Sequence, residues 1–115
     1  MWNKTQLNNI LSDFANNSKV IFGDKLKDVI LFGSYARGDY DSESDIDIAI
    51  LADIPREKEV SYHKELTKVM GDLYEKYDYS VVLAPIVISF SFFEEWKNDL
   101  PFYRNVNLEG VKIVA

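Results

Sequence analysis

Apolar residues open the chain at helical spacing: Leu7, Ile10, Leu11 and Phe14 stand at i, i+3, i+4 and i+7, with asparagine and aspartate on the opposite face. This pattern predicts an amphipathic helix over residues 5–18. The period then shortens. Residues 27–32, Lys-Asp-Val-Ile-Leu-Phe, form an apolar run closed by Gly33, and residues 46–51, Ile-Asp-Ile-Ala-Ile-Leu, form another. Both read as buried strands, joined like a hairpin around the segment between them. Pro55 opens a second helix, over about 56–77, with a stripe of Leu66, Val69, Met70, Leu73, Tyr74 and Tyr77 that Gly71 weakens. A third strand is expected over 79–88. Beyond it, Ser91 and Glu94 have the spacing of a capping box for a short helix, and Phe92, Phe93 and Trp96 are placed to close over the sheet. Asp99-Leu100-Pro101 marks a break before a last turn, and residues 111–114 are the final strand candidate.

Asp47 interrupts the second apolar run, and Asp45 stands two positions before it. Side chains alternate across a strand, so these acids project to one side while Ile46 and Ile48 take the other. Held about 6–7 Å apart, two such charges repel by about 2–3 kcal/mol at an effective dielectric near ~20, and a cation cancels that repulsion. Hard oxygen donors suit Mg²⁺ or Mn²⁺, which complete their shells with water and phosphate oxygens. Upstream lies Gly33-Ser34-Tyr35-Ala36-Arg37-Gly38. Glycine at 33 permits a sharp turn after the strand, and Ser34 can begin a helical turn whose N–H groups and hydroxyl face an anion. Arg37 has two roles open to it: contact with phosphate, or a bridge to Asp39, Asp41 or Glu43 that shapes the loop. The shaping role is preferred. A plain surface hairpin with solvated aspartates does not account for an acid inside the run from Ile46 to Leu51.

These residues resemble the minimal nucleotidyltransferase family of the DNA polymerase beta superfamily. The signature stands as Gly33-Ser34, ten residues, then Asp45 and Asp47, with Ala36-Arg37-Gly38 as the common extension. The ending Pro101-Phe102-Tyr103-Arg104-Asn105-Val106, followed by Glu109-Gly110, is similar to the tail of small stand-alone members. The resemblance covers most of the chain. It implies an α+β nucleotidyltransferase fold, with a mixed sheet and helices mainly on one face. It also implies two Mg²⁺ ions, or Mn²⁺, on Asp45 and Asp47, with Gly33, Ser34 and Arg37 toward the nucleotide. A hydroxyl would attack the α-phosphorus of a triphosphate, with ATP as the expected donor, and pyrophosphate would leave. Family members usually add a third carboxylate from a neighbouring strand. Asp78 is the acid available for that place as catalytic residue and metal ligand, whereas matching on Ala84-Pro85-Ile86 puts Val82 there. Members this short often pair with a HEPN-type toxin and silence it by adenylylating a tyrosine, so such a partner is implied. The competing class is a catalytically inactive nucleotide-binding module, antitoxin-like, that acts by binding its partner.

With 115 residues and 47% hydrophobic content, the chain holds enough for one core, so residues 1–115 are expected to form a single domain. Its formal charge of −6 argues against gripping a long nucleic acid. A mononucleotide remains compatible, because Mg²⁺ brings its own positive charge. One small sheet leaves a side of any bound nucleotide open, which calls for a partner surface to complete the pocket. No apolar run is long enough to span a bilayer and residues 1–17 lack a signal-peptide pattern, so a cytoplasmic location is expected. The absence of cysteine agrees with a reducing compartment. Three simpler readings complete the picture. His63 is expected to be a half-buried packing residue at the edge of the second helix's stripe. Tyr35, Tyr40, Phe102 and Tyr103 can stack an adenine but more simply pack, and Asp39, Asp41 and Glu43 read as a solvated loop.

Overall fold

A computed structural model describes residues 4–113. The first helix, α1 (Lys4–Phe22), outruns its predicted end. Ser18 looks like a stop, yet its buried hydroxyl donates to the Phe14 carbonyl (2.9 Å) inside the helix. The helix therefore continues to Phe22, which is buried against the Tyr62 ring at a centroid distance of 4.4 Å. A short 3-10 turn leads to β1 (Leu26–Phe32), and a one-turn helix, α2 (Ser34–Arg37), follows it. β2 (Ile46–Ala52) returns antiparallel to β1. A 3-10 stretch (Arg56–Tyr62) and α3 (His63–Lys76) then cross over to β3 (Leu83–Ser89), which lies parallel to β2. Two short helices, α4 (Phe90–Trp96) and α5 (Pro101–Glu109), precede β4 (Val111–Ile113), antiparallel to β1. The order across this mixed sheet is β3-β2-β1-β4.

Alternation along the strands divides the core into two layers. Val29 and Leu31 of β1 and Ile46, Ile48 and Ile50 of β2 cluster with Ile10 and Phe14 of α1 and Leu66 and Leu73 of α3. Ile30, Ala49, Leu51 and Ile88 cluster instead with Phe93 of α4 and Val106 of α5. The two long helices thus share one face, as the α+β reading predicts, and the short pair covers part of the other. Asp47 falls on the side of Ala49 and Leu51, the face that carries only short helices.

Several boundaries differ from the predicted ones. Residues 56–62 wind as a 3-10 stretch, where Glu59 accepts the Ser89 N–H (2.7 Å) and Arg56 lies over the Phe92 ring (3.8 Å). The second helix is correspondingly shorter. β3 begins at Leu83 rather than at 79, because α3 ends in a left-handed turn at Asp78 (φ 64°) and Tyr79 (φ 55°). That turn is closed by the Tyr79 N–H on the Tyr74 carbonyl (2.8 Å), and the Tyr74 hydroxyl accepts the Leu83 N–H (2.9 Å) where the strand starts. The predicted capping box does not form: α4 already begins at Phe90, and no side chain caps it. The tail is a nine-residue helix rather than a turn, with Pro101 at its start, where no N–H is needed. Residue 114, the predicted end of the last strand, lies outside the described residues. Among those described, no helix is long and apolar enough to cross a membrane.

A polar clasp joins α1 to the end of α3. Asp13 Oδ2 accepts hydrogen bonds from the Tyr77 hydroxyl (2.5 Å) and from Lys76 Nζ (2.8 Å). Burial pushes the Asp13 carboxyl up, but the hydrogen bonds from Lys76 and Tyr77 and the Lys76 charge outweigh it and hold Asp13 below its ordinary value. Burial and the Asp13 carboxylate push Tyr77 up to about 12. A carboxyl depressed in the folded state stabilises above its unfolded pKa and loses that contribution as pH falls through the folded one. Asp13→Asn is therefore expected to lower stability by about 1 kcal/mol at neutral pH. In urea melts its gap to wild type should close below a pH of about 4. A gap that stays constant to strongly acidic pH would show that the clasp is not ionic.

Candidate active site

The loop after β1 is built on Gly33, whose φ of 74° and ψ of −156° belong to a region open essentially to glycine. Its carbonyl accepts the N–H groups of Ala36 (3.1 Å) and Arg37 (3.0 Å), which coils residues 34–37 into one helical turn. Gly38 ends that turn at φ 88°, donating to the Ser34 carbonyl (2.8 Å). A Cβ at Gly33 would collide with Asp47 Oδ2 and lie 3.2 Å from Asp47 Cγ. The phosphate-type loop and the strand acid are therefore in direct apposition. Ser34 is half-buried at the start of this turn, and its hydroxyl has no hydrogen-bond partner among the described residues.

Asp45 is exposed just ahead of β2, and Asp47 is half-buried within it. The Ile46 N–H between them donates to the Val82 carbonyl (2.8 Å), which fixes this end of β2 against β3. Burial raises the Asp47 carboxyl above its ordinary value, the Asp45 charge adds to that, and the Arg37 charge opposes both. Arg37 itself pairs with Asp39 (3.1 Å) and with Glu109 (3.4 Å). The Asp39 pair matches the loop-shaping role read from the sequence; Glu109, 72 residues away, was not foreseeable from local spacing. The acidic loop is held by its own groups, with Asp41 Oδ1 accepting the Glu43 N–H (2.8 Å) and the Ser44 hydroxyl accepting the Asp41 N–H (3.0 Å).

Asp78 is not brought to this pair. It sits exposed in the left-handed turn after α3, and the β3 residue beside Asp47 is Ala84. Among the described residues no three histidines, cysteines or acids converge as a metal-holding group. Neither the Asp45 nor the Asp47 carboxylate takes a hydrogen bond or an ion pair from a described residue. Two free carboxylates fit a hard divalent ion that finishes its shell with water and substrate oxygens, and they do not fit an all-protein cage.

The aromatic residues pack. Tyr35 stacks on Tyr40 with centroids 4.2 Å apart, and Phe102 meets Phe32, the ladder neighbour of Asp47, edge-on at 5.6 Å. Tyr103 receives a hydrogen bond from Arg56 (2.8 Å). His63 departs from its expected place: it is exposed, and with Glu59, Val60, Leu66 and Ile86 it lines an open groove of about 550 Å³ away from the acids. Sequence reasoning gave no role to Glu59, and to Glu109 only a place in the family-like tail. Each acts on a backbone or side-chain group far along the chain, and no local spacing marks that contact.

The profile of the nucleotidyltransferase domain matches residues 8–110. The chain belongs to this family. It is similar to two candidate protein adenylyltransferases of Methanocaldococcus jannaschii. One is 42% identical over 94 residues, covering 77% of this chain and 90% of the relative. The other is 41% identical over 101 residues, covering 87% and 90%. Among solved structures this nucleotidyltransferase is similar to a mutant MntA-HpeT toxin-antitoxin, with a TM-score of 0.52 and 18% identity over 99% of this chain and 74% of that one. A toxin-antitoxin structure with AMP-PNP gives 0.51 and 20%, over 94% and 73%. At these identities the likeness shows the shared nucleotidyltransferase fold.

Proposed function

We propose that this nucleotidyltransferase moves AMP from ATP to a hydroxyl of a partner protein, using Mg²⁺ held by Asp45 and Asp47. The observation that carries the reading is the apposition of Gly33 and Asp47, which sets an anion-accepting loop against a pair of unpartnered carboxylates. Mg²⁺, when bound there, supplies positive charge that offsets both the carboxylates and the polyphosphate. The chain's own groups do the rest. Gly33 leaves room for a phosphate to approach the backbone, the Ser34 hydroxyl donates to it, and Arg37 adds a fixed cation. An acceptor hydroxyl would enter from the open side of the small sheet.

A protein acceptor is supported by the two relatives named as candidate protein adenylyltransferases. A toxin partner of HEPN type, modified on tyrosine, is the finer form of this proposal, motivated by the fold shared with toxin-antitoxin structures. The test is transfer of α-labelled ATP with Mg²⁺ and a HEPN-type protein. Label is expected on the partner with wild type and is expected to vanish with Asp45→Asn.

The exposed position of Asp78, away from the acidic pair, favours a second reading: a nucleotide-binding module that restrains its partner without turnover. Tight partner binding with no label would select it. Asp78→Asn adds a sharp check, because it is expected to leave labelling within about twofold of wild type. A loss beyond about a hundredfold would assign Asp78 a place at the metal after all.

A further inference from the structure

We infer that Glu109, at the end of α5, is a positioning residue for nucleotide binding, holding the Arg37 guanidinium in place for a bound polyphosphate. This rests on the reading of the site as a nucleotide site. Arg37 has two carboxylate partners, and they do different things. Asp39 belongs to the same loop, two residues on, and its pair with Arg37 Nε moves wherever the loop moves. Glu109 reaches Arg37 Nη1 from another part of the fold, 3.4 Å away.

The place of Glu109 is set by the sheet. The next residue, Gly110, is wedged so closely against the Val106 carbonyl and Ile30 Cγ2 that a Cβ has no room. Val111 then pairs with Leu31 of β1, and the adjoining Phe32 pairs with Asp47 of β2. A short run of backbone pairings therefore links Glu109 to Asp47. Together the carboxylates engage Nε and Nη1 of the guanidinium fork, which leaves the Nη2 donors for phosphate. The Arg37 and Glu109 side chains are 45% and 34% exposed, and ion pairs so exposed add little to folding stability. Its effect belongs in ligand affinity rather than in the melting point.

The test titrates the full chain calorimetrically with a nonhydrolysable ATP analogue and Mn²⁺ at low ionic strength. Wild type is expected to bind, and Glu109→Gln to bind roughly five- to twentyfold more weakly, with a melting midpoint within about 2 °C of wild type. Glu109→Asp, which keeps the charge, is expected to recover affinity to within about threefold. On an Arg37→Gln background, Glu109→Gln should add less than about twofold, because its effect travels through Arg37. Wild-type affinity in Glu109→Gln, or its full loss repeated without Arg37, overturns the inference alone. Melting losses above about 5 °C in both Glu109 variants overturn it in favour of a structural role. Absence of binding in wild type overturns the nucleotide-site reading and the inference with it, and the wild-type titration tells these failures apart.

Discussion

Asp47→Asn is expected to abolish the proposed AMP transfer, by about a thousandfold or more, while leaving the protein at least as stable as wild type. The two halves of this prediction have one cause. Burial and the Asp45 charge raise the Asp47 carboxyl above its ordinary value, so the ionised form is less favourable in the folded chain than in the unfolded one. A carboxyl raised on folding weakens the fold at pH values above its pKa, and the neutral amide removes that penalty. The melting midpoint of Asp47→Asn at neutral pH should therefore equal or exceed that of wild type. Below a pH of about 4, where Asp47 is protonated in both states, the advantage should shrink. A ligand that binds only the folded state raises its stability by mass action, so Mn²⁺ with nucleotide should raise the wild-type midpoint and not that of the variant. If Asp47→Asn instead melted well below wild type, the acid would be a structural element and its role at the metal would lose its main support.

Gly33→Ala carries the second large effect, a loss of about 2–3 kcal/mol in stability together with loss of nucleotide binding. Two strains combine there. The backbone angles of Gly33 are costly for any residue with a side chain, and the added Cβ would strike the Asp47 carboxylate. Gly38→Ala provides the comparison, since its φ is also positive at 88° but nothing lies within 4 Å of a Cβ there. It is expected to cost only about 1 kcal/mol. Removing the Asp47 carboxylate should recover part of the Gly33→Ala loss, so Gly33→Ala with Asp47→Ala should be less destabilising than the two losses added. Denaturant melts of the four proteins measure this directly, and strict additivity would show that loop and acid do not touch.

Much of the candidate site is legible in the sequence because its signals are local. Alternation along an extended strand predicts Asp45 and Asp47 on one side, although β2 itself begins at Ile46, and a Gly-Ser pair after an apolar run marks a turn that needs positive φ. The helical stripes of α1 and α3 are equally local, and the buried Ile10, Phe14, Leu66 and Leu73 confirm them. Reading fails where a side chain far along the chain decides the outcome. Glu59 takes the Ser89 N–H just ahead of α4, which begins at Phe90 without the expected Ser91 capping box, and the Tyr74 hydroxyl sets the start of β3 at Leu83. That shift leaves Asp78 in a turn well ahead of the strand instead of at its head.

The helices α1 and α3, the strands β1 to β3 in their order, and the acids Asp45 and Asp47 following a Gly-Ser turn were determined by the sequence itself, since each follows from the spacing of neighbouring residues along a helix or strand. Tertiary structure alone decided that β3 lies parallel beside β2, that Ala84 adjoins Asp47, and that Arg37 meets Glu109 across the fold. These relations depend on which strands become neighbours and in what register. Such pairings are chosen by burial of the whole core, and no short window of sequence records them.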